Sequence, residues 1–212
     1  MKKIILLILF TTSLNAQTIE FSGGYIASSI DLRFKPSYGD GETTYYTLPE
    51  SYSSYNFEIG IEYFSRKYFS VYSSIGVNEI GGSNSNNHLN GHFPKLGFYD
   101  DAILKNIVIN TLFRIKSPNK FFTLFLEVGP NINYVYDTNE TFKDRDMSYD
   151  NFSLNVNYFI ELGGGIYKDI NNFRFGIKYN FLHNINSFTT KETYIDSTIK
   201  SASINFLIGY SL

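Results

Sequence analysis

The chain contains three histidines, and two of them, His88 and His92, have a spacing that is compatible with metal binding. On an α-helix, histidines four residues apart lie on one face and can ligate zinc together. The surrounding segment, Gly81–Gly91, is instead rich in glycine, asparagine and serine and has no helical period. The sequence therefore predicts no metal site at these histidines.

Two further patterns imitate known binding loops. Asp144, Asp146 and Asp150 are spaced like the opening of a calcium loop, but Tyr149 occupies the position of the turn glycine and no glutamate closes the loop. Gly163–Gly165 follows a predicted strand, yet no helix follows that could hold a phosphate at its N-terminus. We therefore predict no catalytic, cofactor-binding or metal-binding residue, and no enzymatic activity.

The composition indicates an exported chain that folds without disulfides. Lys2 and Lys3, the apolar segment Ile4–Phe10 and the small residue Ala16 are typical of a signal peptide, residues 1–16, cleaved after Ala16. Seven apolar residues are too few for a membrane helix, which needs about 20.

Removing the two lysines from 18 basic residues leaves 16 against 20 acidic ones, a net charge of −4, which argues against a nucleic-acid partner. Cysteine is absent, so neither a disulfide nor a lipid-modified cysteine is expected.

The remaining chain, residues 17–212, forms one predicted domain with a period of two. At its end, every second residue from Ala202 to Leu212 is apolar, whereas Leu207 is the only large apolar residue between them. A break in this parity between Tyr25 and Ile30 indicates a β-bulge near Ala27 and Ser28. The other predicted strands begin near Ile19, Tyr55, Phe69, Ile107, Phe122, Phe152 and Phe173.

The connections between these strands alternate in length. Tight turns are predicted at 65–67, 116–120 and 168–172, and long polar loops at 35–51, 79–102, 137–150 and 184–200. Long loops at one end and tight turns at the other are the pattern of outer-membrane barrels. The sequence therefore predicts an all-β fold, an eight-stranded antiparallel up-and-down transmembrane β-barrel, with both termini on the periplasmic side.

The polar face of the strands carries mostly Gly, Asn and Ser, whereas a water-soluble barrel would need many charged residues on its outer face. The polar face is therefore expected to line the lumen, and the apolar face, with aromatic residues near the strand ends, is expected to meet lipid. Phe121, Phe125 and Phe159 are expected to fill the lumen, and Glu127, Glu161 and Lys178 are expected to meet there. These three belong to a luminal charge network whose expected role is structural: Glu58, Glu62, Arg114, Glu127, Glu161, Arg174 and Lys178.

Three segments resemble a known family: the strands at Glu127–Asn131 and Glu161–Gly165 and the closing strand Ile204–Tyr210. With the signal peptide, they make the chain similar to the eight-stranded outer-membrane β-barrel superfamily, in particular the porin-like family common in gliding and gut bacteria. The resemblance implies a location in the bacterial outer membrane. Members include type IX secretion components and many proteins of unknown role.

The expected function is a structural or interaction role through extracellular loops, including that of a subunit of a secretion or assembly complex. The expected partners are outer-membrane lipid and other outer-membrane or periplasmic proteins. Two alternatives stay open: a small outer-membrane enzyme that modifies lipid, and a narrow ion or solute channel. Barrel lipases and lipid A deacylases place a serine–histidine pair on such strands, but Ile185 stands two residues after His183, where that serine would be.

Overall fold

In the computed structural model, which describes residues 16–34, 44–83, 99–142, 156–185 and 195–212, the chain forms eight antiparallel strands. Each strand pairs with the next one in sequence, and β8 pairs with β1, so the sheet closes into a barrel. The predicted fold class is confirmed. The strands are β1 (Ala16–Phe34), β2 (Thr44–Tyr63), β3 (Phe69–Ser83), β4 (Tyr99–Pro118), β5 (Thr123–Phe142), β6 (Val156–Ile170), β7 (Phe173–Asn184) and β8 (Ile195–Ser211).

The period of two decides which side chains face outward. On β4, Ile107, Ile109 and Ile115 are exposed, whereas Val108 and Leu112 between them are buried in the lumen. The eight residue steps from Ile107 to Ile115, at about 3.4 Å each and a tilt of ~40°, span about 21 Å along the barrel axis, close to the ~25 Å apolar band of membrane barrels. The outer face therefore carries an apolar band about as tall as that of membrane barrels. Among the described residues, there is no helix with the length and apolar character needed to cross a membrane.

Aromatic rings and charges mark the two edges of this apolar band. At the end with short connections, residues 64–68, 119–122 and 171–172, Phe69 stacks on Phe113 with ring centroids 6.0 Å apart. At the opposite end, Tyr25 meets Tyr55 edge-on at 6.3 Å. Beyond Ile107, the outer face carries an ion pair between Lys105 and Asp137 at 2.8 Å. We call the two ends of the barrel the turn end and the loop end.

Several strands run further than the apolar period predicts. Thr44–Ser51 was expected in a loop and belongs to β2, and Asp137–Phe142 extends β5 in the same way. At the turn end, residues 116–118 and 168–170 belong to β4 and β6, so the last of the three turns is only residues 171–172, with Asn171 at a φ of 55°. Backbone pairing continues past the ends of the apolar band, where the residues no longer alternate in polarity, and the sequence pattern therefore underestimates strand length.

The predicted bulge in β1 near Ala27 and Ser28 is wrong. The pairing of β1 with β8 is continuous there, and the irregularity lies in β2, where two extra residues separate the partners of Ser28 and Ile30. Ile26, Ser28 and Ile30 are all buried on the luminal side. The parity change in the sequence therefore marks the point at which the luminal side chains change from polar to apolar. The strand keeps the same face toward the lumen.

Candidate functional site

Arg114 of β4 is the centre of a charged cluster at the turn end of the lumen. Its side chain is fully buried and donates hydrogen bonds to Glu20 at 2.9 Å, Glu62 at 3.0 Å and Glu127 at 3.0 Å. Its guanidinium also lies between two aromatic rings, 4.5 Å from the centroid of Phe125 and 4.7 Å from that of Tyr72. Charge-assisted bonds together with cation–π contacts fix the arginine in one orientation.

Glycines on neighbouring strands make room for those rings. A Cβ added at Gly60 would lie 2.4 Å from the Tyr72 ring, and one added at Gly165 would lie 2.8 Å from the Phe125 ring. No larger residue fits at these two positions without displacing an aromatic side chain. The glycine at position 165 is thus explained by the aromatic residue that holds Arg114.

Arg174 of β7 shares the carboxylates of Arg114. It bonds Glu20 at 2.6 Å and also Glu62, pairs with Asp169 at 2.8 Å, and stacks on Tyr167 at 3.8 Å. Each shared carboxylate thus bridges two guanidinium groups, which is how a buried charge is best compensated. We call this set the arginine cluster: Glu20, Glu62, Arg114, Lys116, Glu127, Asp169 and Arg174, with Lys116 bonded to Glu62 at 2.9 Å.

Lys178 does not pair with Glu127 or Glu161, the partners that the sequence predicts. Its Nζ donates to Glu58 at 3.0 Å, and among the residues that the structure describes this is its one salt bridge. Lys178 lies opposite Gly165 on β6, whereas Glu161 lies opposite Leu182, four residues further along β7. The sequence places the turn after β6 at residues 168–172, but the hairpin closes at 171–172, so the lysine and the glutamate lie at different heights along the barrel.

Glu161 is held by amides. Asn131 Nδ2 donates to Glu161 Oε2 at 2.7 Å and Asn110 Nδ2 donates to the same oxygen at 3.2 Å. In the described part of the chain, no lysine or arginine lies within 4.0 Å of this carboxyl group, which is 1% exposed. Lys178 and Glu127 act on Glu161 electrostatically from a greater distance.

The loop end of the lumen contains aliphatic side chains. Ser28 ties two non-adjacent strands together there, because its Oγ donates to the Gly81 carbonyl at 2.9 Å and lies 2.7 Å from the Gly81 nitrogen. Pairing in β2 is interrupted beside this bridge, between Ser51 and Asn56. The aliphatic residues are all at most 8% exposed, and we call them the apolar layer: Ile26, Ile30, Ile80, Leu104, Val135, Leu182 and Ile199.

The aromatic residues predicted to fill the lumen do so in two of three cases. Phe125 and Phe159 are 3% and 0% exposed. Phe121 is 66% exposed, and its predicted luminal position is wrong because it lies in the connection before β5 begins at Thr123. A residue in a turn no longer follows the alternation of the strand.

Sequence reasoning missed three members of the arginine cluster. Glu20 stands between the outward residues Ile19 and Phe21, so the alternation already placed it inward, but a single charge in a short pattern was not singled out. Lys116 was assigned to a turn, although β4 continues to Pro118 and buries it. Asp169 was likewise assigned to a turn and lies in β6.

The histidine and aspartate patterns add no site to the described structure. His88, His92 and the aspartates 144, 146 and 150 lie outside the described residues. His183 is exposed on β7 and lies opposite Ile160 and Lys200. Within the described ranges, no three His, Cys, Asp or Glu side chains are grouped so that they could hold a metal ion.

No family model and no curated protein matches this chain. Among solved structures, the outer membrane protein OprG from Pseudomonas aeruginosa is similar with a TM-score of 0.54 and 14% identity, over 93% of this chain and 97% of that chain. Neisserial surface protein A matches with a TM-score of 0.49 and 9% identity, over 91% of this chain and 97% of that one. The chain therefore has the fold of the eight-stranded outer-membrane β-barrels. The structural neighbours are bacterial outer-membrane proteins, and they include the protease OmpT from Escherichia coli, with a TM-score of 0.45 and 11% identity over 93% and 97% of the two chains.

Proposed function

We propose that this chain is an integral protein of the bacterial outer membrane that has no enzymatic activity and acts through the segments at its loop end. The observation that carries the proposal is the filled lumen, which is closed by the arginine cluster at the turn end and by the apolar layer at the loop end. A barrel that is apolar outside and closed inside is an anchor and a display scaffold.

The outer face supports the membrane location. Ile75, Ile109, Leu126, Phe206 and Ile208 are each between 51% and 69% exposed and belong to an apolar band that surrounds the barrel. Soluble monomers rarely expose contiguous apolar patches larger than a few hundred Å². In lipid the same band is stabilised, and strand closure satisfies the backbone hydrogen bonds that lipid cannot satisfy.

The lumen gives no support to the alternative of a narrow channel. Arg114 and Lys178 are fully buried, and the side chains of Phe159, Leu112 and Leu207 are at most 2% exposed. A water-filled path would leave luminal side chains accessible to solvent. The channel alternative therefore requires a rearrangement of ion pairs in the arginine cluster.

The described residues also give no specific support to a lipid-modifying enzyme. His183 faces outward beside Ile160 and Lys200, and no serine stands opposite it on either neighbouring strand. The luminal carboxyl groups Glu20, Glu58 and Glu62 are all engaged in ion pairs. A general acid or base needs a proton that a substrate can reach, and these groups are enclosed.

The proposed interaction role rests on the unequal lengths of the connections at the two ends of the barrel. The segments at the loop end, residues 35–43, 84–98, 143–155 and 185–194, are all longer than those at the turn end. Long segments on a rigid scaffold are where barrels of this type carry recognition. We propose that they contact other outer-membrane proteins, including those of a secretion or assembly complex, and that periplasmic partners meet the turn end, after export and cleavage of the signal peptide after Ala16.

Membrane residence is tested by fractionation together with one pair of variants. The wild type should be recovered in the outer-membrane fraction, and unheated samples should migrate differently from boiled ones in detergent gels. Ile109→Arg, in the middle of the apolar band, should destabilise the barrel by ~2–4 kcal/mol. The control, Asn119→Arg in an exposed turn, should have little effect. Recovery of the wild type in the soluble fraction, or equal tolerance of both arginines, would contradict the proposal.

A further inference from the structure

The buried charges of the lumen do not balance. Within the described part of the chain, five carboxyl groups are enclosed, those of Glu20, Glu58, Glu62, Glu127 and Glu161, against four cations, Arg114, Lys116, Arg174 and Lys178. Asp169, the remaining acidic member of the arginine cluster, is half exposed, so solvent stabilises its charge and it is not counted. Every one of the four cations is bonded to a carboxylate other than that of Glu161. Glu161 is therefore the negative charge left without a cation.

The surroundings of Glu161 contain further oxygens without hydrogen-bond donors. Glu161 Oε2 receives both amide donors, and Glu161 Oε1 has no partner among the described residues. Asn131 donates a hydrogen bond from Nδ2 to Glu161, whereas its own Oδ1 has no partner among the described residues. Glu127 Oε1 is also unpartnered, since Arg114 binds the other oxygen of that carboxylate. Leaving such groups buried and unsatisfied is costly.

Because Gly163 has no side chain, Glu127 Oε1 and a further unpartnered oxygen, Asn180 Oδ1, both lie close to its backbone. Gly163 stands between Glu127 on β5 and Asn180 on β7. The position that a Cβ would take at Gly163 lies 2.7 Å from Asn180 Oδ1 and 3.0 Å from Glu127 Oε1, and both oxygens lack a donor. Asn180 is 3% exposed, so its unpartnered oxygen is aimed into the interior of the protein.

We propose that Glu127, Asn131, Glu161 and Asn180 form a luminal binding site for a small hard cation. Carboxylate and amide oxygens are the ligands that hard cations prefer, and nitrogen and sulfur ligands are not needed. The excess of a single negative charge selects a monovalent ion of the Na⁺ type, because a divalent ion would leave a net positive charge beside Lys178. The site uses two carboxyl groups and two amides.

The site is tested on the purified full-length barrel in detergent, with Na⁺ as the probe and choline at equal ionic strength as the reference. The unfolding temperature should rise by about 2–4 °C in Na⁺ at roughly tenfold excess over the dissociation constant. The ²³Na resonance should broaden on adding wild-type protein. Glu161→Gln should abolish both effects, whereas Glu62→Gln in the arginine cluster should lower stability and keep the response to Na⁺.

A second variant keeps the test valid if Glu161→Gln does not fold. Asn180→Ala removes one ligand without changing charge and should weaken the Na⁺ response several-fold, while Asn56→Ala, on the other side of the lumen, should leave it unchanged. Equal unfolding temperatures in Na⁺ and choline for the wild type would overturn the proposal, since Glu161 would then be neutralised by a proton. A larger response to Ca²⁺ than to Na⁺ would overturn the assignment to a monovalent ion.

Discussion

The two ends of the lumen are closed by opposite kinds of chemistry. At the turn end, Arg114 and Arg174 share the carboxylates of Glu20 and Glu62, so the lumen is filled by charge. At the loop end, the apolar layer fills it with aliphatic side chains such as Ile199, which is 0% exposed. The filled interior of this barrel is therefore not one hydrophobic core, because most of the large apolar side chains face outward.

The difference has an energetic consequence. An ion-pair cluster depends on every member, since removing one charge leaves others buried and uncompensated. An apolar layer loses only the transfer and cavity contributions of the atoms that are removed. The turn end should therefore be much more sensitive to a single substitution than the loop end.

Arg114→Leu should have the largest effect, because it leaves three buried carboxylates with fewer donors. We expect a loss of about 3–5 kcal/mol or more in the free energy of unfolding. Ile199→Val in the apolar layer should cost about 1 kcal/mol. Both are measured by denaturant unfolding of the refolded barrel in detergent. Equal losses at the two ends would remove the distinction between them.

An exposed pair provides the control for that comparison. Lys105→Met removes the partner of Asp137 on the outer face, where solvent screens both charges. The free energy of unfolding of this variant should be close to that of the wild type. A loss as large as that of Arg114→Leu would mean that charge removal, and not burial, sets the effect.

Lys178→Met should have a smaller effect than Arg114→Leu, because Lys178 is bonded to a single carboxylate, that of Glu58. The double variant with Glu58→Gln should recover part of the loss, since the uncompensated charge is then removed. Combining Lys178→Met with Glu161→Gln instead should recover less of the lost stability. A better recovery with Glu161→Gln would restore the pairing that the sequence predicts and would contradict the observed one.

The alternation of the sequence predicts orientation well and position along the strand poorly. It places Glu58, Glu62, Arg114, Glu127, Glu161, Arg174 and Lys178 on the luminal side, because each stands between outward-facing residues on a regular strand. It does not assign partners, because these depend on strand register, and register depends on where a hairpin closes. An error of three residues at the turn after β6 was enough to pair Lys178 with Glu161 instead of Glu58.

The apolar layer was missed for a related reason. Ile26 and Ile30 are apolar but face the lumen. A rule that places polar residues inward and apolar residues outward therefore predicts, wrongly, that β1 changes face at this point. The rule holds only while the lumen remains polar. Near the loop end, the lumen is itself apolar, and only the pairing of β1 with β8 shows that the strand continues without interruption.

Conductance of the wild-type barrel in planar lipid bilayers tests most directly whether both ends are closed. With both the arginine cluster and the apolar layer in place, no continuous solvent-accessible path crosses the barrel from one end to the other, and we expect no steady single-channel current across a range of voltages. Insertion is verified separately by flotation of the protein with liposomes of the same lipid, and folding by the gel shift of the recovered protein between unheated and boiled samples. Steady unitary currents from folded wild-type protein would contradict the account of a closed lumen.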